Sequence, residues 1–338
     1  MKYNWKSLPQ MQKLIERVQA STKANINPLE KHMANEYCDD FEEFIALCIK
    51  HGYINRDNIK HFYKNLSKLK TITVLPQGNR GIYGYTTGDK STVMTNPSLD
   101  RDRRKLYLFH ELGHIVLSLD HSLFQERLEH HLKLRESQGL PNNDIFYAGD
   151  GLKIIEEALV QNLAETLLYD SKKQARPIEK DSMDKAIPDI KFKTNFDFYG
   201  LYQSLVGSFG KTLRFVSKTP KDTPSELLNK LTVKAFYPDF TSNIINEYEY
   251  ENDIGIRHLF LVLNKFGIVF NSKLNSFGYG YAAQDYSPTN ARKAYLDAFS
   301  MIERLKDYRP TSTTPLPANS VFTTPSEYIR PYDDTSYR

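Results

Sequence analysis

The chain has 338 residues, 40% hydrophobic and 25% charged, which supplies a sizeable core and excludes a disordered chain. Its 45 basic and 41 acidic side chains leave a net charge of only +4, so charge calls for neither a nucleic-acid nor an anionic-membrane partner. Cys38 and Cys48 are too few for a disulfide framework, and no apolar run approaches the roughly 18 to 20 residues of a membrane span. The opening MKYNWKSLPQ lacks the apolar segment of a signal peptide, so the expected location is the cytoplasm.

From Trp5 to Leu69, apolar residues recur every three or four positions in MQKLIERVQA and FEEFIALCIKHGYI. This predicts a helical N-terminal region over residues 1–69, broken near Gly52. Between Thr71 and Asn96 the period shortens. TITVL, GIYGYTT and STVMTN read as strands of a small antiparallel sheet, with turns at PQGNR and GDK. The third of these is expected to offer an edge on which an extended peptide can pair. An apolar helix follows, capped by Asp100 or Asp102.

Residues 121–150 are charged and partly helical. Within them LFQERLEHHLKL should form a short amphipathic helix with Leu123, Phe124, Leu128 and Leu132 on one side, before the loop PNNDIFYAGDG. Joining the two apolar helices, this stretch is expected to form a wall of a substrate cleft. A second apolar helix, LKIIEEALVQNLAETLLYD, completes a unit expected over 70–189. Residues 190–308 read as a C-terminal α/β domain of unassigned role, including a helix over SPTNARKAYLDAFSMIERLKDY that Ser287 can cap. The Pro-, Thr- and Ser-rich segment 309–338 reads as a flexible tail.

The first apolar helix holds the stretch YLFHELGHIVLSL. His110 and His114 are one turn apart, so they project from one face and can present two nitrogens to one ion, with Glu111 beside them. A zinc ion so held lowers the pKa of its water to about 7, and the carboxylate can take the proton as water attacks a peptide carbonyl. Two imidazoles and a carboxylate inside an apolar run need partners, which a metal provides. Gly113 allows a close backbone approach on this helix.

A catalytic zinc needs a third protein ligand. The metzincin extension is absent, because Leu117 and Asp120 stand where Gly and His are required. His121, His130 and His131 lie downstream, on what reads as a solvated helix face. On the second apolar helix Glu157, Gln161 and Glu165 form a polar ridge between apolar flanks. Glu157 is then the ligand, with Gln161 orienting an imidazole. Glu156, pointing among Val160, Leu163 and Leu167, is the alternative ligand. Tyr147, Tyr169, His121 and Arg176 remain open as stabilisers of the transition state.

GIYGYTTGDKSTVMTNPSLDRDRRKLYLFHELGH followed by EALVQNLAETLL resembles the ImmA/IrrE family of zinc metallopeptidases over roughly residues 70 to 177. The resemblance implies an α+β, zincin-like core and a cytoplasmic zinc endopeptidase of gluzincin type. His110, His114 and Glu157 then hold Zn2+ and Glu111 is the general base. Gln161 stands where the family has Asn or Asp, Leu163 replaces a Phe, and Tyr107, Leu108 and Phe109 replace Thr-x-Ala. The implied partner is a protein substrate, a DNA-binding repressor of a mobile element or stress response, with no direct nucleic-acid contact and no membrane.

Two other readings belong to different classes. One is a non-catalytic binding module that retains the zinc fold. The other is a DNA-binding regulator with a fused metallopeptidase-like domain, but residues 28–66 contain no recognition helix with clustered Arg or Lys.

Overall fold

The computed structural model describes residues 8–27, 31–76, 82–139, 148–172 and 221–249, together with 203, 205–207, 210, 213 and 215–216. Helix α1, Pro9–Asn25, turns Met11, Leu14, Ile15 and Val18 inward, the spacing of one helical face. α2, Lys31–Lys50, buries Tyr37, Phe41, Phe44, Ile45 and Cys48 along one stripe. The chain leaves α2 through Gly52, whose φ of 75° lies in the left-handed region that glycine adopts without penalty. α3, Ile59–Leu66, follows.

Three short strands come next: β1, Thr71–Val74; β2, Gly84–Thr86; and β3, Thr92–Thr95. Their order is β1-β3-β2, with β2 antiparallel to β3 but β1 parallel to it. The antiparallel sheet expected from the sequence is therefore a mixed one. Turn residues do fold β2 onto β3, but β3 inserts beside β1 rather than β2 doing so, and strand order leaves no mark in local composition. STVMTN is also central, not an edge, so it offers no free row of main-chain groups. β2 is the edge near the histidines.

α4, Arg101–Val116, carries the two histidines. Asp100 is its cap, its side chain accepting from Arg103 N at 2.9 Å, whereas Asp102 lies in the first turn and pairs with Lys172 at 2.6 Å. Arg101 and Arg104 fasten this end of α4 to Asp40 and Glu36 of α2, at 2.6 and 2.9 Å. α5, His121–Ser137, is a helix where one is expected, with Phe124 buried and Leu123 partly buried against the core. The sides on which Leu128 and Leu132 lie, and the loop up to residue 147, fall outside the described residues.

α6, Ala148–Ser171, begins within AGDG, a stretch read from the sequence as loop. Two glycines lower helix propensity there, but Gly151 and Leu152 are buried and tertiary packing overrides it. α4 and α6 lie against each other at Gly113, where a Cβ would come within 3.0 Å of Val160 Cγ1. That close approach brings the polar faces of the two helices within reach of each other.

α7, Pro224–Lys234, starts with a capping box between Thr223 and Glu226, and α8, Phe240–Glu249, ends the described chain. Asn162 of α6 donates to Thr232 and Asn229 of α7, each at 2.9 Å. Of the expected α/β unit over 190–308, the regular elements described are the helices α7 and α8. The helix expected from Ser287 and the tail from Arg309 lie outside the described residues.

The fold is thus mixed α+β, rich in helix, with one small three-stranded sheet. α1, α2, α4, α6, α7 and α8 contribute side chains to one apolar core. No helix among the described residues is long and apolar enough to cross a membrane. Phe109 is fully buried in this core, its ring 5.5 Å from that of Phe44. Phe109→Ala is expected to lower stability by about 3–5 kcal/mol, read as a drop in the urea unfolding midpoint.

Candidate metal centre

His110 and His114 face α6 from successive turns of α4, their Nε2 atoms 3.2 Å apart and their rings at 73°. Glu157 of α6 places Oε2 3.2 Å from His110 Nε2 and Oε1 3.7 Å from His114 Nε2. Among the described residues this is the one group of three or more potential ligands whose donor atoms converge, all within 4.8 Å of one another.

The outer nitrogens of both rings are occupied. His110 Nδ1 lies 2.9 Å from Gln161 Oε1, and Gln161 Nε2 donates to Glu165 Oε1 at 2.7 Å. Because a carboxylate only accepts, the second bond sets the amide so that its oxygen faces His110, and Nδ1 must be the donor. His114 Nδ1 donates to Glu156 Oε1 at 3.0 Å, again because its partner is a carboxylate. In the neutral rings both Nε2 atoms therefore carry lone pairs, and these converge with a carboxylate. Three electron-rich atoms so placed repel unless a proton or a metal ion sits among them, and the 3.2 Å between the two Nε2 atoms is also a hydrogen-bonding distance.

The surrounding carboxylates draw positive charge to this spot, as a proton or as a metal ion. Burial disfavours charge on His114, but Glu157, Glu156 and Glu111 outweigh it and push the imidazole pKa up to about 10. Burial likewise opposes ionisation of Glu157, yet His114 and His110 hold it below the usual carboxylate range. Among the described residues Glu157 Oε2 is buried without a well-formed hydrogen bond, with His110 Nε2 3.2 Å away. Two imidazoles and a carboxylate, each imidazole steadied by an outer partner, suit zinc in composition and tautomer.

Glu111 points to the sheet side of α4. Its Oε2 accepts from Thr86 Oγ1 at 2.7 Å, and Gly84 lies so close that a Cβ there would come within 2.7 Å of Oε1. The β2 edge therefore rests on the carboxylate. Beside it the β2–β3 turn passes through Lys90, a non-glycine residue at φ 59° whose Nζ donates to the His114 carbonyl at 2.5 Å.

The structure brings together His110, Glu111, His114 and Glu157, with Gln161 behind His110. It places Glu156 on the far side of the His114 ring, away from the converging atoms, where its second oxygen meets His121 Nε2. His130 is exposed, while the side chain of His131, together with Tyr147 and Arg176, lies outside the described residues. Thr86, Gly84 and Lys90 were not legible as site residues. Gly84 did carry a signal, since glycine inside a strand often marks a close approach.

Comparison with known proteins gives no match. No family model fits the chain, and neither a curated protein nor a solved structure matches it.

Proposed function

We propose that the chain is a zinc-dependent endopeptidase with a zincin-like core, as its resemblance to the ImmA/IrrE family implies. The observation that carries this reading is the convergence of His110 Nε2, His114 Nε2 and Glu157 while Gln161 and Glu156 occupy both Nδ1 atoms. The chemistry that zinc supplies when held there is Lewis acidity toward water and toward a peptide carbonyl.

Glu111 is the general base, receiving the proton of the attacking water and returning it to the leaving amine. Thr86 fixes one carboxylate oxygen, and Gly84 leaves room for the other. The substrate pairs along β2, whose outer edge meets no other strand among the described residues and whose Tyr85 and neighbouring Ile82 are exposed. The substrate is a protein, and the family resemblance favours a DNA-binding repressor met in the cytoplasm.

Gly84→Ala tests the role of the strand. The new methyl displaces the Glu111 carboxylate, so cleavage should fall about 100-fold, as for a misplacement near 1 Å, with zinc content unchanged.

The reading itself is tested by incubating the zinc-loaded protein with a library of peptides derived from a bacterial proteome and mapping new termini by mass spectrometry. Cleavage that a chelator removes and zinc restores is the expected result. Zinc-loaded protein that yields no new termini favours the non-catalytic module instead.

A further inference from the structure

Glu156 is a second carboxylate of α6 at the metal centre, and ligation does not account for it. Its side chain is only 13% exposed, and it is held at both oxygens: Oε1 accepts from His114 Nδ1 at 3.0 Å, and Oε2 meets His121 Nε2. His121, at the first residue of α5, has a side chain 38% exposed, so its place is not explained by core packing. We propose that His121 is a positioning residue of the metal centre, acting through Glu156 on His114. The proposal rests on the zinc reading above.

The physical case is a clamp. A carboxylate bonded at one oxygen can rotate and carry the imidazole plane with it, whereas one bonded at both fixes the ring that it orients. His121 is itself presented by a pinned segment. Ser118 N donates to Ala235 O at 2.6 Å, and Thr241 Oγ1 donates to Ser118 O at 2.9 Å while accepting from Asp120 N at 2.8 Å. Asp120 in turn caps α5, its side chain accepting from Leu123 N at 2.9 Å. On the opposite side Lys90 holds the His114 carbonyl at 2.5 Å. The ligand is thus fixed at its main chain by the sheet turn and at its ring by α6 and α5 together.

The test compares the wild type with His121→Ala and His121→Gln, the latter retaining an N–H donor for Glu156. Zinc affinity is measured by competition with a chromophoric chelator, and ligand geometry by the visible absorption of the cobalt(II)-substituted proteins. Zinc-free unfolding midpoints serve as the control for folding. His121→Ala should weaken zinc binding about 10- to 100-fold and shift the cobalt bands, and His121→Gln should recover most of both. A His121→Ala protein that binds zinc within about twofold of wild type, with unchanged cobalt bands, overturns the proposal, as does equal loss in both variants. Wild-type protein that takes up no zinc overturns both the clamp and the zinc reading. Wild-type protein that binds zinc but cleaves no peptide overturns the peptidase reading alone and leaves the clamp to be judged by the affinity ratios.

Discussion

Glu111→Gln is expected to lower peptide cleavage by at least about 100-fold, the usual scale for losing an acid–base group, while zinc content and fold stay as they are. The substitution is nearly isosteric. Thr86 Oγ1 can still donate to the amide oxygen, so the 2.7 Å bond that seats the side chain under β2 survives. What disappears is the acceptor for a proton. Cleavage rates on one mapped peptide, with zinc measured in the same samples, check this. Undiminished cleavage shows that Glu111 is not the base, and undiminished cellular effect in the absence of cleavage shows that the protein acts by binding.

Glu157→Gln is expected to weaken zinc binding beyond the roughly 10- to 100-fold typical of losing an outer partner, since it neutralises a ligand itself. Gln161→Ala, which removes only the support behind His110, should fall inside that range. The grading matters, because a merely structural polar cluster predicts no order between them. Thermal unfolding gives an independent readout. Zinc at a hundred times its dissociation constant should stabilise the wild type by about 2.7 kcal/mol, and at that same concentration Glu157→Gln should gain much less. The zinc-free variant should be less stable than the zinc-free wild type at neutral pH, because His114 and His110 hold the Glu157 pKa below its ordinary value and the ionised carboxylate therefore stabilises the metal-free fold.

Much of this centre is legible in sequence because it is local. His110 and His114 are one turn apart in an apolar run, and that spacing alone puts both rings on one face. Glu157 and Gln161 share a ridge for the same reason. Glu156 was harder, since adjacent helical residues point about 100° apart and both can reach α4. Only the packing of α4 on α6 decides that one faces the inner nitrogens and the other an outer one.

The partners of Glu111 were not readable at all. Thr86 lies 25 residues away in sequence, and it reaches the carboxylate through a sheet whose strand order no turn residue encodes. Strand order likewise decides which strand has a free edge. STVMTN has the stronger β character, yet β3 lies between two strands and the less regular GIYGYTT forms the edge against Glu111. At the start of α6 glycine signals a loop locally, while buried Leu152, Ile154 and Ile155 stabilise helix through the core.

His110, His114 and Glu157 are proposed to hold one zinc ion. Anomalous diffraction at the zinc edge from crystals of the zinc-loaded protein tests it most directly. A peak is expected about 2.0–2.2 Å from His110 Nε2, from His114 Nε2 and from a Glu157 carboxylate oxygen. A peak bound by other residues, or the absence of any peak in zinc-loaded crystals, contradicts it.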